Sequence, residues 1–314
     1  MNLINLVLYF IVLLLFENVL LSEVLFMKGI YSALLTSFDK EGNINEKGIR
    51  ELVRHNIDCV KVDGIYVNGS TGENFMLSTE EKKKIFQIVK DEADGKIKLI
   101  AQIGSINLKE SIELGNYATE LGYDSLSAVT PFYYKFTFEE IKDYYNTIIK
   151  ETQNNMIIYS IPYLTGVDMG LDNFGELFKN PKIIGVKFTN PDFYLLERII
   201  YTFPDKLVYS GFDEMLLPAA VVGVDGAIGS TFNVNGRRAK EIFDLVSKGK
   251  LKEARELQSI TNNLITEILN NGLYQTIKLI LEEFGVNAGY CKRPFRESTD
   301  EMKKNAKEIF NKYF

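Results

Sequence analysis

The run IIGVKFTN, residues 183–190, sets Lys187 between Val186 and Phe188 in an otherwise apolar stretch. Burying an ammonium without a partner is costly. A strand lysine either pairs with a carboxylate, reaches water from the strand end, or works as a neutral amine that attacks a carbonyl. At a reference pKa of about 10.4, a lysine amine is neutral in only about one molecule in 2,500 at pH 7. Desolvation disfavours the charged form of such a group, and a neutral amine can form a Schiff base with a ketone. The resulting iminium is an electron sink for breaking or making a neighbouring C–C bond. That chemistry requires no metal and no organic cofactor.

Other residues have the types such a reaction needs. Tyr159, in YSIP, can donate a proton as phenol and accept one as phenolate, or can simply pack with its hydroxyl satisfied. GSTG, residues 69–72, offers backbone N–H groups plus the Ser70 and Thr71 hydroxyls, a nest for a carboxylate or phosphate that is also ordinary turn chemistry. Asp213 and Glu214, in GFDE, can meet sugar hydroxyls or cap the following helix DEMLLPAAVVG through its dipole. The single histidine, His55, falls in NEKGIRELVRHNIDCV and is expected on a surface helix. A Ser-His-Asp triad or a His-rich zinc site therefore lacks material, and acid–base work falls to Lys, Tyr or carboxylates.

These residues need elements to position them. The strands expected are IYSALLTSF (30–38), GIYVNG (64–69), KLIAQIG (98–104), SLSAVTP (125–131), MIIYSIP (156–162), IIGVKFT (183–189), LVYSGF (207–212) and GAIGSTF (226–232). Amphipathic helices lie between them; STEEKKKIFQIVKDEA, for example, opens on a serine cap and early acids. Apolar strands joined by helices imply parallel pairing. Eight such units fit a (β/α)8 TIM barrel of the α/β class better than an open sheet, and no GxGxxG or GK[ST] loop favours a nucleotide fold. The barrel is expected over residues 27–249, with a C-terminal helical extension over 250–314. Chemistry should then gather at the C-terminal ends of the strands, and GSTGEN, TPFYYKF, YSIPYLTG, GVKFT, GFDE and GSTFN all fall there.

Composition narrows the class. With 314 residues, 46% hydrophobic and 25% charged, the chain reads as a soluble globular protein with a sizeable core. A net charge of −6 and the lack of a basic block argue against a nucleic-acid partner. Cys59 and Cys291 form no CxxC pair, which suggests reduced thiols and no metal framework. LVLYFIVLLLF, residues 6–16, is too short for a membrane span of about 20 residues, and no Lys or Arg precedes it as in a secretory signal. Residues 1–26 are expected outside the fold, with Met27 as the natural start; a membrane anchor is the alternative.

From Met27 to about Phe295 the chain resembles the N-acetylneuraminate lyase and dihydrodipicolinate synthase family of class I aldolases, on GSTGE, TPFYY, YSIP, GVKFT, GFDE and GAIGSTFN. The resemblance implies that Lys187 is the Schiff-base lysine and Tyr159 the proton-transfer tyrosine. It implies that Ser70 and Thr71 hold the carboxylate of the pyruvate portion, and that Tyr133 extends the proton relay across a subunit interface. Synthases resemble Y-N-[IV]-P-x-R-T-G at strand 5, whereas YSIPYLTG has Leu164 in place of the arginine, so an aldehyde bearing a carboxylate loses its bidentate partner. GFDE instead is similar to the sialic-acid lyases, and Thr189, Gly211, Asp213, Glu214 and Ser230 match their sugar-binding set. The activity implied by this resemblance is reversible cleavage of N-acetylneuraminate to N-acetylmannosamine and pyruvate, by a cytoplasmic homotetramer without cofactor. An aldolase for another 2-keto-3-deoxy sugar acid and a non-catalytic ligand-binding barrel remain as alternatives.

Overall fold

The strands are short because only their apolar centres stay in the ladder. In the computed structural model, which describes residues 27–314, β1 is Gly29–Ala33, β2 Gly64–Val67, β3 Lys98–Gln102, β4 Ser125–Val129, β5 Met156–Ser160, β6 Ile183–Phe188, β7 Leu207–Ser210 and β8 Gly226–Gly229. They close into a barrel in chain order. Every neighbouring pair is parallel, and β1 pairs β8 from Gly29↔Gly226 to Ser32↔Gly229. The strands stop before the ends expected from sequence, since Asn68 and Gly69, Thr130 and Pro131, and Gly211 and Phe212 lie outside the ladder. Residues 1–26, expected outside the fold, lie beyond the described residues. No helix among the described residues is long and apolar enough to cross a membrane.

A helix follows each strand: α1 Glu46–Arg54, α2 Thr79–Ala93, α3 Leu108–Glu120, α4 Phe138–Thr152, α5 Leu171–Phe178, α6 Phe193–Thr202, α7 Leu216–Val222 and α8 Phe232–Ser247. Their starts are written in the sequence. Ser78 with Glu81 and Thr137 with Glu140 form capping boxes, and Asn45, Asn107 and Asp192 cap with their side chains. His55 corrects the surface-helix expectation. It is buried in a π-helical turn, His55–Val60, with Nε2 3.1 Å from the Asn233 carbonyl and its ring against Phe284. The outward side of that segment is what its polar residues report, and the imidazole fills the seam beside α8.

After the barrel come α9 Leu251–Asn270, α10 Leu273–Glu283 and α11 Asp300–Tyr313. Helix α9 packs on α8, α10 packs on α11, and the Tyr290 N–H donates to the Phe38 carbonyl at 2.9 Å, stitching the extension to the segment after β1. Cys59 and Cys291 are both free thiols. Burial pushes the Cys291 thiol up to about 11, so it stays protonated.

One irregularity decides what faces the barrel interior. Met156 pairs with Ile183, but Ile157 pairs with Gly185, which leaves Ile184 as an extra residue on β6. In a regular strand the period of two would put Ile184 and Lys187 on opposite faces. The bulge shifts the alternation by one. Ile184 packs inside with Tyr31, Tyr66, Tyr159 and Tyr209, while Val186 and Phe188 pack outward with the helices. Lys187 then pairs across from inward-facing Tyr159 and Tyr209.

Candidate active site

Three lysines are buried among the described residues: Lys82, Lys187 and Lys278. Two have carboxylate partners at 2.7 Å, Glu110 for Lys82 and Glu73 for Lys278. Lys187 is 5% exposed and, among the described residues, its Nζ joins no ion pair. Its neighbours are rings instead, with Nζ 3.9 Å from the Tyr159 centroid and 4.8 Å from that of Tyr66. Ring faces attract a cation without taking a proton from it, and they leave a neutral amine free of a hydrogen-bond acceptor. The amine stands one residue from the C-terminal end of β6, and Tyr159 one residue from the end of β5.

Tyr66 is a site residue that sequence reasoning missed. Its ring meets Tyr159 edge-on, with centroids 6.1 Å apart, and its hydroxyl donates to Ser127 Oγ at 2.9 Å. Burial holds the Tyr66 phenol well above the usual tyrosine range, so it is a fixed donor that walls the site. Its position near the end of β2 matches those of Tyr159 and Lys187 on their strands, a signal visible once the strands are aligned.

The GSTGE turn follows β2. Ser70–Gly72 is a 3-10 turn, and Thr71 Oγ1 lies 2.6 Å from Ser230 Oγ at the end of β8. The Gly72 carbonyl accepts from Thr36 Oγ1 at 2.9 Å, so the turn is fixed from the β1 side as well. Thr71 is thus joined to Ser230 across the rim.

At the far side, Thr189, Gly211 and Asp213 stand together. A Cβ on Gly211 would fall 1.8 Å from Thr189 Oγ1, so only glycine permits that approach. The Thr189 hydroxyl is buried and has no partner among the described residues. Asp213 Oδ2 accepts from the Thr231 N–H at 2.7 Å and from the Thr231 hydroxyl. Of the two roles open to Asp213, capping is therefore real, but it serves the entry to α8 rather than its own helix. Thr231 is a second residue that the sequence did not single out. Burial pushes the Asp213 carboxyl up to about 6, against the Thr231 hydrogen bonds and the nearby Lys187 charge, which pull it down. Glu214 is exposed.

Tyr133, an expected site residue, and Leu164, which stands in the place of the synthase arginine, are both exposed in the single chain. Tyr133 is 81% exposed, with its ring against Tyr134 at 5.1 Å. Its φ of 75° is unusual for a non-glycine residue, and such strain concentrates at functional positions. Leu164 lines a cavity of about 300 Å³ together with Ser70, Asn74, Phe75, Phe132 and Tyr274, a lining that does not include Asp213 or Glu214.

A closed parallel barrel with its polar cluster at the strand C-termini defines an enzyme of the TIM-barrel class. Residues 26–313 match the dihydrodipicolinate synthetase family, and the chain belongs to it. It is 68% identical to the N-acetylneuraminate lyase of Clostridium perfringens over 92% of this chain and 100% of that one. The N-acetylneuraminate lyase of Haemophilus influenzae is 66% identical, with 91% and 98% covered. A solved structure of CdNal from Clostridium difficile in complex with mannosamine matches at TM-score 0.91 and 72% identity, covering 92% of this chain and 99% of that one. The N-acetylneuraminate lyase of Fusobacterium nucleatum matches at TM-score 0.89 and 64% identity, with the same coverage.

Proposed function

We propose that this enzyme cleaves N-acetylneuraminate reversibly to N-acetylmannosamine and pyruvate through a Schiff base on Lys187. The observation that carries the reading is the contrast among buried lysines: Lys82 and Lys278 are paired with carboxylates, and Lys187 is set against the rings of Tyr159 and Tyr66. Relatives at 64–68% identity over nearly the whole chain bear the lyase name and support the substrate.

In this reading the Lys187 amine attacks the C2 ketone of the open-chain sugar, and water leaves to give the iminium. Tyr159 takes the proton of the C4 hydroxyl as the C3–C4 bond breaks. The bond's electron pair flows into the iminium and leaves an enamine on Lys187, and the aldehyde N-acetylmannosamine departs. Protonation of the enamine at C3 and addition of water then release pyruvate and the free amine. Ser70 and Thr71 hold the C1 carboxylate, and Thr189, Gly211, Asp213, Glu214 and Ser230 meet the polyol.

Tyr133 joins the relay from a neighbouring copy in a cytoplasmic homotetramer. Its exposure on a cavity it lines with Tyr134 and Leu164, both also exposed, supports a surface that a second copy covers. Incubation with N-acetylneuraminate, with analysis for both products, tests the function. Absence of N-acetylmannosamine beside pyruvate, with turnover of another 2-keto-3-deoxy acid, would replace the substrate. Sedimentation tests the assembly.

A further inference from the structure

Two side chains of the C-terminal extension are buried against opposite ends of this site, and the mechanism uses neither. Lys278, on α10, is 2% exposed; its Nζ donates to Glu73 Oε1 at 2.7 Å and to the Tyr290 carbonyl at 2.6 Å. The other Glu73 oxygen accepts the Lys292 N–H at 2.6 Å. Glu73 closes the GSTGE turn in the left-handed region, at φ 62°, so its carboxylate fixes the C-terminal edge of the turn that carries Ser70 and Thr71. Gln258, on α9, is 5% exposed. Its Nε2 donates one N–H to Asn262 Oδ1 at 2.8 Å and shares the other between the carbonyls of Asp213 at 3.2 Å and Glu214 at 3.3 Å, and its Oε1 accepts the Leu217 N–H at 2.9 Å. One glutamine therefore holds the C-terminal end of GFDE and the start of α7 together.

We infer that the extension is a two-point clamp on the substrate site, in which Lys278 positions the keto-acid loop and Gln258 positions the polyol loop. Both are positioning residues, since they act through Glu73 and through the Asp213–Glu214 backbone. The two points are independent: they lie on different helices and share no hydrogen-bond partner among the described residues. A side chain that merely stabilised the fold would change recognition of both substrate halves together. The clamp instead separates them. The inference rests on the proposed roles of Ser70, Thr71, Asp213 and Glu214.

The test is the condensation reaction of the full-length enzyme, with pyruvate and N-acetylmannosamine varied separately. Lys278→Met should raise the KM for pyruvate about tenfold, as expected when a hydrogen-bonded charge loses its partner, with the KM for N-acetylmannosamine nearly unchanged. Gln258→Met should do the reverse. Because an unpaired Glu73 can unfold the chain, the Glu73→Gln/Lys278→Met double variant, which leaves no buried charge at this pair, is measured alongside. It should retain the wild-type melting midpoint and still show the raised pyruvate KM. Folded variants that shift both KM values by one factor, or neither, overturn the clamp. Thr71→Val distinguishes failure of the clamp from failure of the carboxylate reading beneath it. If it leaves the pyruvate KM unchanged, the carboxylate reading fails; if it raises that KM while the Lys278 variants do not, the clamp fails.

Discussion

At the proposed keto-acid end, the groups assigned to the reaction stand on strands; at the proposed polyol end, most of the groups assigned to recognition stand in the loops beyond them. Lys187 and Tyr159 are cross-strand neighbours in the ladder between β5 and β6, so their separation is set by sheet geometry. Asp213 lies in a 3-10 turn after β7, with Thr231 holding its carboxylate and Gln258 its carbonyl. Ladder geometry suits bond breaking, where a misplacement of about 1 Å costs rate steeply. Loop geometry suits recognition, where one framework can accept different sugars by changing a few residues.

The largest effect that tests this contrast is at Lys187. Lys187→Met should abolish trapping of pyruvate by borohydride and all lyase turnover. The thioether fills the same space between Tyr159 and Tyr66 and removes a buried amine that has no carboxylate partner among the described residues. The variant should therefore unfold no more easily than the wild type, since removing an unpaired buried polar group is neutral or stabilising. Labelling of another lysine in the wild type would sink the assignment. The same change at Lys278 should be destabilising, because it strips Glu73 of its partner.

Tyr159→Phe comes next. It keeps the ring that packs on Tyr66 and removes the hydroxyl, so the fold should persist. Turnover should fall by about 10²–10⁴, the usual worth of a positioned proton-transfer group. Slow imine formation with pyruvate should remain trappable, because Lys187 is untouched. Near-normal turnover would remove Tyr159 from the chemistry and leave Tyr133 as the next candidate.

The same contrast explains what is legible in the sequence. Eight apolar runs separated by amphipathic segments are enough to specify a barrel, and the rim motifs follow from where strands end. Lys187 and Tyr159 are readable because a charge or a phenol in an apolar run stands out. The bulge at Ile184 is not, since IIGVKF carries no mark of which residue is extra, yet it is what turns Lys187 inward. Thr231, Gln258 and the Glu73–Lys278 pair are hidden for another reason. Each acts on a residue distant along the chain, and Lys278 lies 205 positions from Glu73, a pairing that only the closed fold creates. His55 misleads because a lone histidine in a polar segment looks exposed whichever way it turns.

A smaller effect is expected where the two ends are compared by substrate. Wild-type turnover of aspartate semialdehyde should be negligible beside that of N-acetylneuraminate, because Leu164 offers its carboxylate no partner. Leu164→Arg should put a cation into the apolar cavity shared with Ser70, Phe75 and Phe132 and lower lyase kcat/KM by about tenfold. Comparable wild-type turnover of the two substrates would show that residue 164 does not discriminate.

The smallest effect on turnover belongs to Asp213, whose distinctive behaviour is in stability. Its carboxyl titrates near 6 in the fold, against an ordinary value of 3.8, because burial disfavours the ionised form. The folded state therefore holds this proton more tightly than the unfolded state does. The stabilisation is fully present below about pH 4 and is lost as the pH rises through about 6. A shift of that size corresponds to about 3 kcal/mol, what remains of the burial penalty after the Thr231 hydrogen bonds have offset part of it. Asp213→Asn keeps an oxygen for Thr231 and cannot ionise, so its stability should lack this fall. Denaturant titrations of both proteins at pH 4.5 and pH 7 isolate the group, since every other ionisable residue is common to them. The stability difference between the variant and the wild type should grow toward pH 7. A difference that stays constant would mean that Asp213 titrates as an ordinary surface carboxylate, and that the polyol end does not hold its acid by burial.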